Sequence, residues 1–402
     1  MTTPAIPLAA RLSPIKPSPT LAVDAKAKAL KAAGAPILNF SVGEPDFDTP
    51  AHVREAAKAA IDQGFTRYTA VGGIAELKEA IAGRLREDHG WTYGQDEIVV
   101  SCGGKHGLYN LAQAVFQPGD EVLIPSPYWV SYPPIVQLAG AAPVLVPLAE
   151  ADGFDLRPEV LERLVTPRTR GIILNSPSNP TGAVFSTAAL ETVARLARQH
   201  RWLVVSDDIY DTIVFDNEPL PHILRIAPDL RDQVLIVNGV SKSFAMTGWR
   251  IGHTVGPKHI IGAMTKIQSQ STSNPSSIAQ KAAAAALAGP QDFPQAMTQS
   301  FRERRDLIMA RLAAIPGVTC VKPKGAFYVF PNLAAYFGKS VGGRVIQGSL
   351  DLADYLLEEA SLATVPGVAF GADAFIRFSF ATARADIEAG MDRLRDALAR
   401  LG

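Results

Sequence analysis

The sequence predicts an α/β protein: a large domain built round a parallel-containing sheet with helices on its faces, and a smaller α+β domain. Three observations carry this. Short apolar runs at 98–101, 171–174, 202–206 and 234–237 alternate with stretches of helical periodicity, as strands joined by crossover helices do. Polar and charged residues gather where those runs end, the usual place for a site in an open α/β sheet. The chain has 402 residues, more than one typical core holds, so two domains are expected. An N-terminal arm is placed at 1–19, the large domain at 46–290, and the smaller one at 20–45 together with 291–402.

Taken in order, prolines 14, 17 and 19 break regular structure in the arm. An alanine- and lysine-rich helix is expected from Thr20 to Ala33, ending at Gly34, and a short strand from Ile37 to Val42. Gly43-Glu44-Pro45-Asp46-Phe47 is a polar loop before a helix near 51–63. Residues 76–89 carry Leu77, Ile81 and Leu85 at helical spacing. After the strand 98–101 comes a turn, Cys102-Gly103-Gly104-Lys105, and then a helix bearing Leu108, Leu111 and Val115. A strand, a glycine turn and a helix start offer free backbone N–H groups to an anion. Strands are expected at 121–124 and 171–174, a helix at 186–200 and a strand at 202–206. Asp207 and Asp208 end that strand. Adjacent carboxylates there are costly unless something cationic meets them.

The run 234–237 leads into Ser241-Lys242-Ser243-Phe244, and 251–255 leads out of Gly248-Trp249-Arg250-Ile251-Gly252. A lysine at the end of a buried strand loses solvation, which frees a nucleophilic amine. Further on, a helix to about 267, a polar loop at 268–273, a packed alanine-rich helix at 281–288 and a long helix at 292–314 are expected. Strands are expected at 318–321, 326–330 and 375–380. Arg377 lies inside the last of these, and a charge in an apolar strand demands an anion.

Lys+Arg and Asp+Glu both total 39, so no basic excess argues for nucleic acid or an anionic membrane surface. Two cysteines without a Cys/His cluster favour neither a disulfide framework nor a metal site, and fit a reducing cytoplasm. The N-terminus lacks the apolar core of a signal peptide, and no apolar run approaches membrane-spanning length. GxxxxGK[ST] and GxGxxG are both missing.

Ser-Lys-Ser-Phe followed by Gly-Trp-Arg-Ile-Gly resembles the pyridoxal-phosphate attachment motif of the class I/II aminotransferases. The resemblance runs from about residue 14 to the C-terminus, with motifs in family order, and is nearest the prokaryote-type aspartate aminotransferases. It implies fold type I, with a mixed, mostly parallel seven-stranded sheet. It implies pyridoxal 5'-phosphate as cofactor, no metal, and a homodimer with shared sites. By the same resemblance Lys242 carries the cofactor, Arg250, Ser241 and the Gly103-Gly104-Lys105 turn hold its phosphate, and Trp129 stacks on its ring. Asp207 pairs with the ring nitrogen, while Asn179 and Tyr210 donate to the phenolic oxygen. Tyr68, and with less support Thr272, reach the partner subunit's phosphate. Gly43, Trp129, Asn179 and Arg377 meet the substrate, and Lys105 reads a distal carboxylate. Asp208 turns away to a structural role, and Gly325-Ala326-Phe327-Tyr328 borders the site. Two departures stand out: Gly239 replaces a hydroxyl residue, and the phosphate turn is Gly-Gly-Lys. The implied reaction is transamination between aspartate or glutamate and a 2-oxo acid. Prephenate, aromatic amino acids or alanine are alternative substrates. A β-lyase on the same scaffold and a non-catalytic regulator are the rival readings.

Overall fold

Seven strands form the central sheet of the computed structural model, which describes residues 6–17, 19–216 and 219–402. They are β1 (Ile98–Ser101), β2 (Glu121–Ser126), β3 (Ala142–Pro147), β4 (Thr169–Asn175), β5 (Leu203–Asp207), β6 (Val234–Gly239) and β7 (Gly252–Val255), in the order β1-β7-β6-β5-β4-β2-β3. β7 runs antiparallel to both neighbours and the other pairs are parallel. Successive strand residues point to opposite faces, and both faces are buried. Val99, Val122, Ile124, Val205 and Val237 pack beneath the helices Gly104–Val115, Tyr132–Leu138 and Lys258–Ser269. Val100, Leu123, Ile172, Val204 and Ile236 pack on the other side, with the helices Ala75–His89, Thr187–His200 and Ser277–Ala288. That is why these strands read as continuous apolar runs.

β3 was not expected from the sequence. Pro143 and Pro147 argue against a strand, but β3 is an edge strand, where a missing N–H is tolerated. Other expected strands are cut short or missing, and of 326–330 only Tyr328–Val329 is one. Of 37–42 only Leu38–Asn39 is a strand, paired with Leu362–Ala363. Residues 318–321 form no strand and make a single bridge, Thr319 to Asn332, because no longer partner lies alongside. Of the arm placed at 1–19, residues 1–5 and 18 lie outside the described residues. Ala10–Leu12 is a 3-10 turn, with Ile6 and Leu8 exposed.

A second core surrounds the sheet of β8 (Tyr328–Val329), β9 (Val365–Pro366) and β10 (Ile376–Ser379), in the order β9-β10-β8. The helix Asp292–Ala313 lays Met297, Phe301, Ile308 and Leu312 into it. Phe40, Tyr210, Ile213 and Phe215 enter the same core from earlier in the chain. Phe301 is fully buried, with its ring 5.3 Å from that of Phe327 and 5.6 Å from that of Phe47. Phe301→Ala should therefore cost about 3–5 kcal/mol, read from the urea midpoint. A loss below about 1 kcal/mol would show that this ring does not anchor the core.

Candidate active site

Parallel register brings the strand C-ends level. Asn175 on β4 pairs with Asp207 on β5, and Asp207 pairs with Val237 on β6. A one-turn helix, Val240–Ser243, follows β6 and swings Lys242 back over those ends. The result is a cavity of about 410 Å³ lined by Gly43, Gly104, Lys105, Trp129, Asn179, Asp207, Tyr210, Ser241, Lys242, Arg250 and Arg377. These residues come from positions 43 to 377, and every one was singled out from the sequence.

Lys242 Nζ donates to the Gly43 carbonyl oxygen at 2.5 Å. Its amine is pushed down to about 8: burial is the main cause, Arg250 and Arg377 add to it, and Glu44 and Asp207 oppose it. A side chain at Gly43 would sit 3.0 Å from the Tyr328 hydroxyl, so glycine keeps the backbone open to the amine.

Asp207 is 5 % exposed. Its Oδ2 accepts from the Tyr132 hydroxyl at 2.6 Å, and its backbone carbonyl accepts from Asn175 Nδ2 at 2.9 Å. Burial pushes its carboxyl up to about 7; the Tyr132 bond pulls it down and Asp208 pushes it further up. Asp208 points the other way, as expected. Its Oδ1 accepts from Ser206 Oγ at 2.6 Å and its Oδ2 from His222 Nε2 at 3.0 Å. His222 Nδ1 accepts the Leu224 N–H at 3.0 Å, so Nε2 carries the hydrogen. Polar donors thus meet Asp208.

Arg377 is 3 % exposed. It donates Nη1 to Asn179 Oδ1 at 3.0 Å and Nη2 to the Ser41 carbonyl at 2.6 Å, while Nε is buried without a partner among the described residues. The side of the guanidinium that carries Nε calls for an acceptor. With its carbonyl oxygen on Arg377, the Asn179 amide nitrogen points away from the guanidinium. Tyr210 and Tyr328 share a hydroxyl hydrogen bond of 2.8 Å.

At the opposite end, the helix Gly104–Val115 begins at the cavity and presents unpaired N–H groups. Gly103, at φ 89°, caps it; a Cβ there would fall 2.4 Å from Arg250 Nη2. The glycine lets the guanidinium close over the helix start. Arg250 is itself left-handed, at φ 58°, a strained setting for arginine. Lys105 Nζ lies 4.9 Å over the Trp129 ring, and burial, then Arg250, holds its amine below the usual lysine range. Gly239 has a packing cause: a Cβ would lie 2.9 Å from the Ile251 carbonyl oxygen.

Two sequence candidates stand apart. Tyr68 is 91 % exposed, and Thr272 is exposed as well; neither lines the cavity. Ser41, Glu44, Tyr132, Asn175, Thr247 and Tyr328 line it too. Tyr328 lay in a stretch already read as bordering the site, and Tyr132 lies three residues beyond Trp129. Asn175 sits at a strand C-end, a signal that could have found it. Ser41 contributes only its backbone carbonyl, which no side-chain pattern reveals. Among the described residues, no group of three or more His, Cys, Asp or Glu side chains is placed to hold a metal, and no helix is long and apolar enough to cross a membrane.

Comparison with known proteins agrees with this geometry. Residues 35–394 match the family described as aminotransferase class I and II. A Cereibacter sphaeroides relative named aspartate/prephenate aminotransferase is 48 % identical over 392 residues, covering 97 % of this chain and 96 % of its own. The crystal structure of the aspartate aminotransferase from Rhizobium meliloti superposes with a TM-score of 0.94 at 45 % identity, covering 99 % of this chain and all of that one. The Thermus thermophilus aspartate aminotransferase with maleate gives 0.91 at 42 % identity, covering 98 % of this chain and all of that one. At such identity over nearly the whole length, the chain belongs to the class I and II aminotransferase family.

Proposed function

We propose that this chain is a pyridoxal-phosphate-dependent aminotransferase that exchanges an amino group between L-aspartate or L-glutamate and a 2-oxo acid such as 2-oxoglutarate. The observation that carries the reading is one cavity holding a half-buried amine of lowered pKa, Lys242, and a buried carboxylate, Asp207. The residues present fit the cofactor. The helix start at Gly104, with Ser241 and Arg250, makes an anion cup for a phosphate. Asp207 would meet a protonated ring nitrogen, Trp129 the ring face, and Tyr210 and Asn179 the phenolic oxygen.

Pyridoxal phosphate supplies an aldehyde that condenses with amines and an electron sink for loss of the α-proton. The protein does the rest. Arg377, through its unpartnered Nε and the adjacent Nη groups, grips the substrate α-carboxylate. Lys242 Nζ, largely neutral above its lowered pKa, takes the proton from the amino acid's Cα. Asp207 would meet the protonated ring nitrogen when the cofactor is bound, and that cation would favour its charged form. Lys105, held over Trp129, meets the distal carboxylate. The dicarboxylate maleate in the Thermus structure supports a second cation of that kind. Prephenate is a further substrate under this reading, supported by the Cereibacter relative's name.

The reading also includes a homodimer, in which exposed Tyr68 and Thr272 serve the neighbouring subunit's phosphate. It includes a cytoplasmic setting, with Cys102 and Cys320 both unpaired. It keeps the chain divided at 46–290 and at 20–45 with 291–402, since the cavity lies where segments of both meet.

Borohydride treatment of protein loaded with pyridoxal phosphate should fix the cofactor on Lys242, and Lys242→Ala should lose both the adduct and turnover. Substantial turnover in that variant would refute the assignment. In cofactor-free protein, acylation of Lys242 should rise through about pH 8, well before surface lysines near 10.5, because the folded amine loses its proton first. Peptide mass mapping reads this, and Lys242 titrating with the surface lysines would contradict it. Lys105→Ala should raise KM for aspartate at least about tenfold more than KM for alanine. Equal changes would show that Lys105 does not read the distal group.

A further inference from the structure

Asp207 must keep one orientation to serve the cavity, yet its own strand does little to fix it. The backbone is held by Asn175, but among the described residues Oδ1 meets only the Ile209 N–H, at a long 3.4 Å. The short bond is to Oδ2, from the Tyr132 hydroxyl at 2.6 Å. Tyr132 is 3 % exposed and opens the helix Tyr132–Leu138. Pro133 and Pro134 follow directly, and their fixed φ makes this helix start rigid. The ring is braced edge-to-face by Trp129, at 5.2 Å between centroids. A rigid turn therefore delivers one hydroxyl to one carboxylate oxygen, 75 residues away in sequence.

We propose that Tyr132 is a positioning residue for the reaction: its hydroxyl pins Oδ2 of Asp207 and so keeps the carboxylate turned into the cavity. The proposal rests on reading Asp207 as the partner of a protonated ring nitrogen. The ionisable groups that face Asp207 are Tyr132 from the 132–138 helix, Asp208 and Tyr210 from the chain after β5, and Lys242 from the 240–243 helix. Burial and then Asp208 work against its charge. The Tyr132 bond is the largest influence in favour, ahead of the Ile209 N–H and Lys242. The same negative neighbour, with burial, pushes the Tyr132 phenol well above its ordinary range, so it remains a donor. A buried tyrosine that merely satisfied its own hydroxyl would need any acceptor; this one takes the acceptor that the chemistry requires.

Tyr132→Phe removes the donor and keeps the ring. Pyridoxal phosphate should bind the cofactor-free variant about tenfold more weakly in a fluorescence titration, the scale of one hydrogen bond to a charged group. Without the donor the Asp207 carboxyl titrates higher, so as pH falls the carboxylate is lost sooner. The acid limb of the aspartate kcat/KM profile should move up by about one pH unit. Tyr132 replaced by 3-fluorotyrosine, a more acidic phenol of the same shape, should move that limb down, and it decides the matter if the phenylalanine variant does not fold. Wild-type affinity and an unmoved limb in Tyr132→Phe, or an unmoved limb with 3-fluorotyrosine, would overturn the proposal. So would a lowered Tm with the limb unchanged, which assigns Tyr132 to packing. Failure of the wild type itself to take up pyridoxal phosphate would overturn both this proposal and the functional reading.

Discussion

Lys242 Nζ sits 2.5 Å from the Gly43 carbonyl in the half-buried cavity wall, with Arg250 and Arg377 near enough to repel its charge. Burial favours the neutral amine, and two carboxylates, Glu44 and Asp207, only partly restore the charged form. Everything else in the cavity is arranged round that balance. Asp207 must stay close enough to face a cation without forming a tight pair that would quench the amine. The geometry meets this by giving the carboxylate another partner, Tyr132, and by giving the amine a backbone carbonyl.

The sheet makes the arrangement possible. Parallel register sets Asn175, Asp207 and Val237 side by side at the C-ends of β4, β5 and β6. Side-chain alternation then separates two adjacent carboxylates. Asp207 faces the cavity, and Asp208 faces Ser206 and His222. A one-residue slip would exchange their places and put Asp208 where Asp207 is needed. The second core supplies what the sheet lacks. β10 holds Arg377, and Tyr328 from β8 lies beneath its guanidinium, 4.6 Å from the ring centre.

Most of the central sheet was legible because its strands are buried on both faces and polar residues gather at their ends. The runs at 98–101 and 234–237 declare themselves by apolarity alone. β3 was not legible, because edge position excuses Pro143 and Pro147 and no local pattern states edge position. The short strands of the second core were blurred for a related reason. At two residues, Leu38–Asn39 owes its conformation to Leu362–Ala363, more than 300 positions on. Within the site, charged and glycine-turn residues could be read, since each is costly without a purpose. The Ser41 carbonyl could not be read, since its value lies in its distance to Arg377 across the fold. Trp129 could be read, but the bond of nearby Tyr132 to Asp207 is a tertiary fact.

The central claim is that this amine and this carboxylate together run the first half of an amino-group exchange. The most direct measurement is the absorbance spectrum of protein loaded with pyridoxal phosphate, recorded before and after L-aspartate is added with no 2-oxo acid present. The account predicts that the visible band of the bound aldehyde form disappears, the near-ultraviolet band of the amine form replaces it, and one equivalent of oxaloacetate is released per site. A loaded protein whose spectrum is unchanged by both aspartate and glutamate, with no 2-oxo acid released, would contradict it.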